Sequence, residues 1–162
     1  MKTQKTTKID AYFCQSFGPQ KDNPGISNIF LSDCIVSTYN KSPKPLIIQE
    51  DAALAFPPNI SIDFVISKHH VPGEYLDSYE VSRQGVEYCK QHGYETLLVF
   101  AHPDHIWRVM KTLKKLGIHA IAADTRGTPY DPLSVQIWTR SKWIFLPREI
   151  LTRMFYYLTG KI

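Results

Sequence analysis

The strongest constraint on the fold is an alternation of short apolar runs with amphipathic helical patterns. Apolar runs occupy residues 62–67, 96–101 and 119–123, and helical patterns over residues 78–92 and 104–116 separate them. Strand–helix–strand repeats of this kind form right-handed crossovers between parallel strands. The pattern therefore predicts an α/β fold with a mainly parallel sheet.

Two further apolar runs, residues 9–17 and 46–49, bring the predicted sheet to about five strands. A weaker helical pattern over residues 23–39 lies between them, and residues 51–59 form either a short helix or a loop. With helices available for both faces of the sheet, we expect a three-layer Rossmann-like sandwich.

The chain has the length and composition of one folded domain. Its 162 residues are 43% hydrophobic and 21% charged, which predicts a single domain over residues 1–162 with a flexible tail at 1–8. No apolar stretch is long enough for a signal sequence or a membrane span, and the three cysteines lack CxxC spacing. These features predict a cytoplasmic protein. The net charge of +4, without a recurring basic face, argues against nucleic-acid binding.

A polar cluster follows the apolar run at residues 96–101. It consists of His102, Asp104, His105 and Arg108, at the start of the next helical pattern. Ligands of open α/β sheets bind beyond such strand ends, and free N–H groups in a first helical turn favour anions. We therefore predict an anionic ligand held there, with Arg108 as a bidentate fork and His105 as either a general acid or base or only a hydrogen-bond donor.

The same cluster also has a purely structural interpretation. His102 and Asp104 would cap the helix, while His105 and Arg108 would cover its solvent-facing flank. Four polar residues at one strand exit favour the functional interpretation, but the sequence leaves both open.

The other predicted strand ends carry polar residues that would face the same crevice. Glu80, near the start of the helix at 78–92, is either a catalytic group or a complement to the helix dipole. The strand-end residues that we predict to contact the ligand, besides the polar cluster, are Ser16, Gly18, Glu50 and Asp124.

The AHPD segment, residues 101–104, resembles the zinc-binding start of the N-acetylglucosaminyl deacetylase family. Only some 60 residues follow it, and none after His119 is a histidine. Zinc needs three or four protein ligands, so the others would have to come from His69, His70 or Glu50. We predict no metal site, and keep a metal-dependent hydrolase using the AHPDH segment as an alternative.

Three features of residues 75–162 resemble the YdcF/SanA/ElyC-like bacterial domain family of unknown function. The family's Thr/Ser-x-x-His-x-x-Arg motif matches His105 and Arg108, with Ala101 and His102 at the hydroxyl positions. Its Thr-x-Glu helix start is approximated by residues 78–80, which adds Ser78 to the predicted ligand contacts. The third feature is a final helix with an Arg-Glu pair, here Arg148 and Glu149, and an aromatic end.

The resemblance implies a Rossmann-like sandwich and an adenosyl-type ligand such as S-adenosylmethionine. It also implies a role near envelope or peptidoglycan-precursor metabolism. The N-terminal half departs from the family, because SFGPQ and QEDAA stand where members have glycine-rich turns. An alternative is therefore a non-enzymatic regulatory or scaffold relative that has lost ligand binding.

The C-terminal region mixes aromatic and basic residues and has two interpretations. It is either a membrane-surface helix or a terminal helix whose aromatic side chains pack against the sheet. Pro147 predicts two short helices rather than one. The aromatic residues concerned are Trp138, Trp143, Phe145, Phe155, Tyr156 and Tyr157.

Overall fold

A computed structural model describes residues 8–162, and these residues build a five-stranded sheet in which all strands are parallel. The predicted tail at residues 1–8 lies outside the described residues except for Lys8, whose Nζ is 3.4 Å from a carboxylate oxygen of Asp10. The five predicted strands are confirmed, in the spatial order β3-β2-β1-β4-β5. Their bounds are Ala11–Cys14 (β1), Leu46–Gln49 (β2), Phe64–Ile66 (β3), Thr96–Phe100 (β4) and His119–Ala122 (β5).

The helices of the described residues agree with most of the sequence-based predictions. None of these helices combines the length and the apolar character needed to span a bilayer. Their bounds are Ile26–Lys41 (α1), Glu50–Ala53 (α2), Ser78–His92 (α3), Pro103–Lys115 (α4) and Lys142–Leu158 (α5), with a 3-10 turn at Ile137–Thr139.

Pro147 lies inside α5, so the prediction of two short helices is wrong. An interior proline removes one backbone hydrogen bond from a helix. The inner face of α5 nevertheless buries Phe145, Glu149 and Tyr156 against the rest of the protein. Packing of that face offsets the missing bond, and the proline ring itself lies on the exposed side.

Alternate residues of the strands fill two separate cores. Phe13, Leu97 and Val99 belong to the core beneath α3 and α4. Tyr12 and Phe100 point to the opposite face, where α1, α2 and the start of α5 cover them. Because side chains alternate across a strand, this division places one helical layer on each face and confirms the three-layer sandwich.

One close approach fixes how α3 sits on the sheet. A Cβ atom added at Gly85 would lie 2.5 Å from Cε2 of Phe13, well inside van der Waals contact. Glycine at this position lets the helix backbone lie against the aromatic ring of β1. The start of α3, with Ser78, is thereby held near the carboxyl end of β1.

The strand order creates the crevice in which a site is expected. After β1 the chain builds outward through β2 and β3, then returns to place β4 on the other side of β1. In open α/β sheets, ligands bind at the carboxyl ends of the two strands that flank such a reversal. Here those ends are Cys14 in β1 and Phe100 in β4.

Candidate functional site

A cavity of about 420 Å³ opens at the carboxyl ends of β1 and β2. Its floor comes from the loop after β1 and from α4, and its walls come from the start of α3, the 3-10 turn and α5. Four of the residues predicted from the sequence line it: Ser16, Ser78, His105 and Arg108. The structure therefore brings the His105–Arg108 pair and two predicted hydroxyl groups together at the expected edge of the sheet.

Arg108 forms a buried bidentate ion pair with Glu149. Its Nε donates to both carboxylate oxygens at 3.1 Å, and its Nη2 donates to Oε2 at 2.9 Å. Burial opposes ionisation of Glu149, but the charge and hydrogen bonds of the Arg108 guanidinium outweigh it, and the pKa of Glu149 is held at about 2. The fork that we predicted for a ligand thus binds a carboxylate of the protein, while Arg108 Nη1 donates to the Ser78 hydroxyl.

His105 is almost completely buried and belongs to the same hydrogen-bond network as Arg108. Arg108 Nη2, which can only donate, is 3.2 Å from His105 Nδ1, so Nδ1 accepts. The proton then sits on His105 Nε2, which donates to Gln15 Oε1 at 3.1 Å. Burial, followed by the positive charge of Arg108, lowers the pKa of His105 to about 4. The imidazole is neutral at pH 7, and both of its nitrogens have partners within the protein.

Gln15 and the hydroxyl groups of α3 complete this network. The Gln15 amide nitrogen donates to the Ser78 carbonyl at 3.0 Å and to Ser82 Oγ at 2.7 Å. The Ser78 hydroxyl also lies 3.1 Å from the Tyr156 hydroxyl of α5. One chain of hydrogen bonds therefore joins the loop after β1 to α3, α4 and α5 around the inner end of the cavity.

His102 caps α4, as the structural interpretation proposed. Its Nδ1 accepts from the Asp104 backbone N–H at 3.2 Å, and its carbonyl accepts from the N–H groups of His105 and Ile106. Its ring stacks on Phe17, with the centroids 4.0 Å apart, and burial lowers its pKa to about 4. The first-turn N–H groups of α4 therefore already have partners within the protein, which leaves none of them for the anion that we predicted over this helix start.

Asp104 is directed away from the cavity. Its carboxylate accepts from the Tyr130 hydroxyl at 2.6 Å, and the Nζ of Lys142 lies 4.0 Å away. Neither His102 nor Asp104 lines the cavity. The polar cluster predicted from the sequence therefore divides into one capping residue, His102, one residue bound to Tyr130, Asp104, and two lining residues.

The N-terminus of α1 is also occupied by a side chain of the protein. The buried Asp131 carboxylate accepts from the Ile26 N–H at 2.9 Å and from the Gln20 amide. A Cβ atom at Gly25 would lie 2.7 Å from Asp131 Oδ2. Gly18, a predicted ligand contact with φ of +65°, lies in this closed turn and does not line the cavity.

Glu80 faces a different region from the cavity. Arg83 donates to both of its oxygens at 2.8 Å, and Gln84 donates to Oε1 at 2.7 Å. Burial opposes ionisation, but the hydrogen bonds from Arg83, Gln84 and His70 hold the pKa of Glu80 well below its usual range. The structure therefore gives Glu80 no contact with the cavity in which we predicted it to act.

His69, His70 and Glu80 are also the one group in residues 8–162 whose ligand atoms lie close enough to share a metal ion. The guanidinium of Arg83 already binds the carboxylate of Glu80. Moreover, His69 Nδ1 accepts from the Val71 N–H at 3.0 Å, which places the proton of the neutral ring on the nitrogen that faces Glu80. The AHPDH segment does not belong to this group.

Two more predicted residues lie outside the cavity. Glu50 begins α2 on the surface, and Asp124 is exposed with its carboxylate bound to Arg126 at 2.7 Å. Ser16, in contrast, lines the cavity and is held by Gln49 Oε1, which accepts its N–H, and by Asp51, which accepts its hydroxyl proton at 3.1 Å.

Arg148, Trp138 and Gln15 are among the lining residues that the sequence-based site prediction missed. The guanidinium carbon of Arg148 lies 4.2 Å from the centroid of the Trp138 ring. Among residues 8–162 no carboxylate lies within 4.0 Å of the Arg148 guanidinium. Arg148 had a sequence signal in its Arg-Glu pair and Trp138 in the aromatic and basic C-terminal region, whereas Gln15 had none.

No family model, curated protein or solved structure matches this chain. The sheet and its two helical layers define a Rossmann-like α/β protein with its cavity where ligands of such sheets bind. Because one fold of this class hosts many activities, function has to be argued from the side chains of the cavity.

Proposed function

We propose that the protein binds a small anionic, nucleotide-like ligand in this cavity, with Arg148 as the charge partner. The observation that carries the proposal is the Arg148 guanidinium, held against Trp138 at 4.2 Å beside the cavity. It has no carboxylate partner among the described residues. A stacked guanidinium keeps its fork of N–H donors available for a phosphate or carboxylate group.

The remaining charges around the cavity support the assignment to Arg148. Arg108 also lines the cavity, but Glu149 neutralises it. Asp77, the one acidic lining residue, accepts from the Glu80 N–H and binds the Nζ of Lys161 at 3.1 Å. An entering anion would therefore meet one uncompensated charge, and that charge is positive.

The apolar part of the cavity favours a ligand with a planar ring. Trp138, Phe145, Phe155 and Tyr156 line it together with Arg148. Aromatic walls and a guanidinium plane are well suited to stacking on a nucleobase. We propose membership of the YdcF/SanA/ElyC-like family, which adds S-adenosylmethionine to nucleotides and phosphorylated envelope precursors as candidate ligands.

A second candidate is a regulatory or scaffold protein that no longer binds a ligand. It is favoured by Asp131, which fills the anion position at the start of α1. It is also favoured by His105, because both of its nitrogens are engaged by Arg108 and Gln15. The open cavity beside His105 favours the ligand-binding proposal over this one.

A thermal-shift screen followed by calorimetry tests the proposal. The panel contains ATP, S-adenosylmethionine, a sugar phosphate and inorganic phosphate. A ligand at about 100 times its Kd raises the free energy of unfolding by roughly 2.7 kcal/mol. We expect Arg148→Gln to weaken binding of the best ligand at least about tenfold, the loss typical of one charged hydrogen bond.

Arg126→Gln is the matched control, because Arg126 is exposed, bound to Asp124 and remote from the cavity lining. It should bind as the unaltered protein does. An anionic ligand whose affinity is the same in both variants would overturn the role of Arg148. A panel without any stabilising compound would favour the regulatory candidate.

A further inference from the structure

We infer that the outer face of α5 is a docking surface for an anionic lipid membrane. We define this face by the side chains that follow one another along the exposed side of the helix. They are Trp143, Ile150, Met154, Tyr157 and Leu158, with Pro147 between them.

The spacing of these residues makes the face continuous. Positions 143, 147, 150, 154 and 158 are three or four residues apart, so their side chains form one stripe along a helix. Each of its five large apolar side chains is 57–86% exposed. A helix on the surface of a domain normally turns polar residues outward, and α5 does the opposite.

The exposed apolar surface is concentrated on this helix. Eighteen large apolar side chains are exposed among residues 8–162, and eight of them lie on α5. Leu133, Val135 and Ile137, just before the helix in the chain, are exposed as well. A concentration of this kind marks a surface that is covered by something else in function.

The charges of this region indicate what covers it. Residues 133–162 contain five basic residues, Arg140, Lys142, Arg148, Arg153 and Lys161, and one acidic residue, Glu149. The carboxylate of Glu149 is 1% exposed and bound to Arg108. Arg153 is bound to Glu149 and Lys161 to Asp77, whereas Arg140 and Lys142 are exposed. This region therefore presents positive charge, and no accessible carboxylate of its own, to a partner.

A second copy of the chain is a poorer occupant for that reason. Two α5 helices packed face to face would bury the apolar stripe but bring basic side chains, without acidic ones, together at its edges, and like charges there disfavour association. A membrane rich in anionic headgroups complements the same charges while it takes up the apolar stripe.

The position of the basic and aromatic side chains fits this geometry. Lys142, with a side chain that is 59% exposed, lies about a quarter-turn from the stripe on a helical wheel, where its charge would reach headgroups. Trp143 and Tyr157 stand near opposite ends of α5, and such amphipathic rings favour the membrane–water interface. With 17 residues and several charges, α5 would lie in the interface rather than cross the bilayer.

Flotation of the full chain with lipid vesicles tests the inference. We expect binding to vesicles of phosphatidylcholine with phosphatidylglycerol, little binding to phosphatidylcholine alone, and weaker binding at high salt. Insertion of Trp143 should shift the tryptophan emission to the blue, and Trp143→Phe should remove most of that shift. The double variant Met154→Glu/Leu158→Glu should weaken binding by about tenfold or more, because the transfer of two apolar side chains from water into the membrane is lost.

Leu54→Glu is the matched control, since Leu54 is 65% exposed but lies just after α2, outside the α5 face. It should float like the unaltered protein. Failure to bind phosphatidylglycerol vesicles would overturn the inference, as would equal loss in the control. Sedimentation velocity gives the other decisive outcome: a dimer that Met154→Glu/Leu158→Glu dissociates would assign the face to a second copy.

Discussion

Arg108 of α4 and Glu149 of α5, separated by 41 residues in the sequence, form a bidentate ion pair that is almost completely buried. The inner face of α5 is held to the sheet domain through this pair, through Phe145 and through Tyr156. Arg153, one turn further along α5, adds a second contact to Glu149 at 3.0 Å. The pair consequently couples the cavity wall that α5 forms to the helix that carries His105.

Removal of the carboxylate should be strongly destabilising. Glu149→Gln leaves the buried guanidinium of Arg108 without a counter-charge, and breaking a buried pair in this way costs about 3–5 kcal/mol. Urea unfolding followed by circular dichroism measures the change. Replacing both partners, as Arg108→Met/Glu149→Leu, should cost less than the sum of the two single changes, because no charge stays buried alone.

Asp124→Asn is the control for that experiment, since the exposed pair of Asp124 with Arg126 should contribute nothing measurable. A loss of stability in Glu149→Gln no larger than in this control would show that the buried pair does not hold α5.

Stability should fall as the pH is lowered from neutrality. His102 and His105 have a pKa of about 4 in the folded protein, whereas the histidines of an unfolded chain titrate near 6.5. Between these values the unfolded chain binds more protons, so the free energy of unfolding decreases with falling pH. Glu149, with a folded pKa of about 2 against an ordinary 4.5, extends the decrease to lower pH.

The urea midpoint at a series of pH values between 7 and 4 measures this dependence. Each histidine contributes at most about 1.4 kcal/mol per pH unit in its window. His105→Gln should therefore give a shallower slope than the unaltered protein. A slope that is identical in the two proteins would contradict the assignment of a neutral, buried His105.

Gly85→Ala should destabilise the protein although alanine is the better helix former. The added Cβ would meet Phe13 at 2.5 Å, and overpacking of this kind costs typically 1–3 kcal/mol. The gain in helix propensity is about 1 kcal/mol at most. Thermal unfolding should show a lower Tm for Gly85→Ala, and Phe13→Leu in the same chain should restore part of it. An increase in Tm would show that the Phe13 ring moves aside without strain.

The parallel strands and two of the long helices could be predicted because their signals are local. Gly93, in the left-handed conformation with φ of +69°, ends α3 where the sequence placed the boundary. The apolar run before His102 forms β4, and α3 begins at Ser78 as the sequence predicted. Periodicity and capping depend on residues that are close together in the chain, so both can be recognised in a single sequence.

The site was predicted less well because its contacts join distant parts of the chain. His105 and Arg108 line the cavity at the predicted edge of the sheet. No residue close to Arg108 in the sequence identifies Glu149 as its partner, and none close to Gly25 identifies Asp131. Pro147 led to the wrong prediction of a helix break, because its local effect on the helix is outweighed by burial of the inner face of α5. Long-range pairing determines which polar groups are left for a ligand.

Asp131 has a consequence for how such a ligand would be selected. Many proteins of this fold class hold phosphate groups with backbone N–H groups at the start of the first helix. These N–H groups form a rigid cradle that favours a tetrahedral anion. Here a carboxylate of the protein occupies that cradle by binding the Ile26 N–H. The proposed cavity would then select ligands by their negative charge and by the planar ring attached to it, and not by the shape of the anionic group. Phosphate, sulfate and carboxylate derivatives of one ring system would therefore compete with one another.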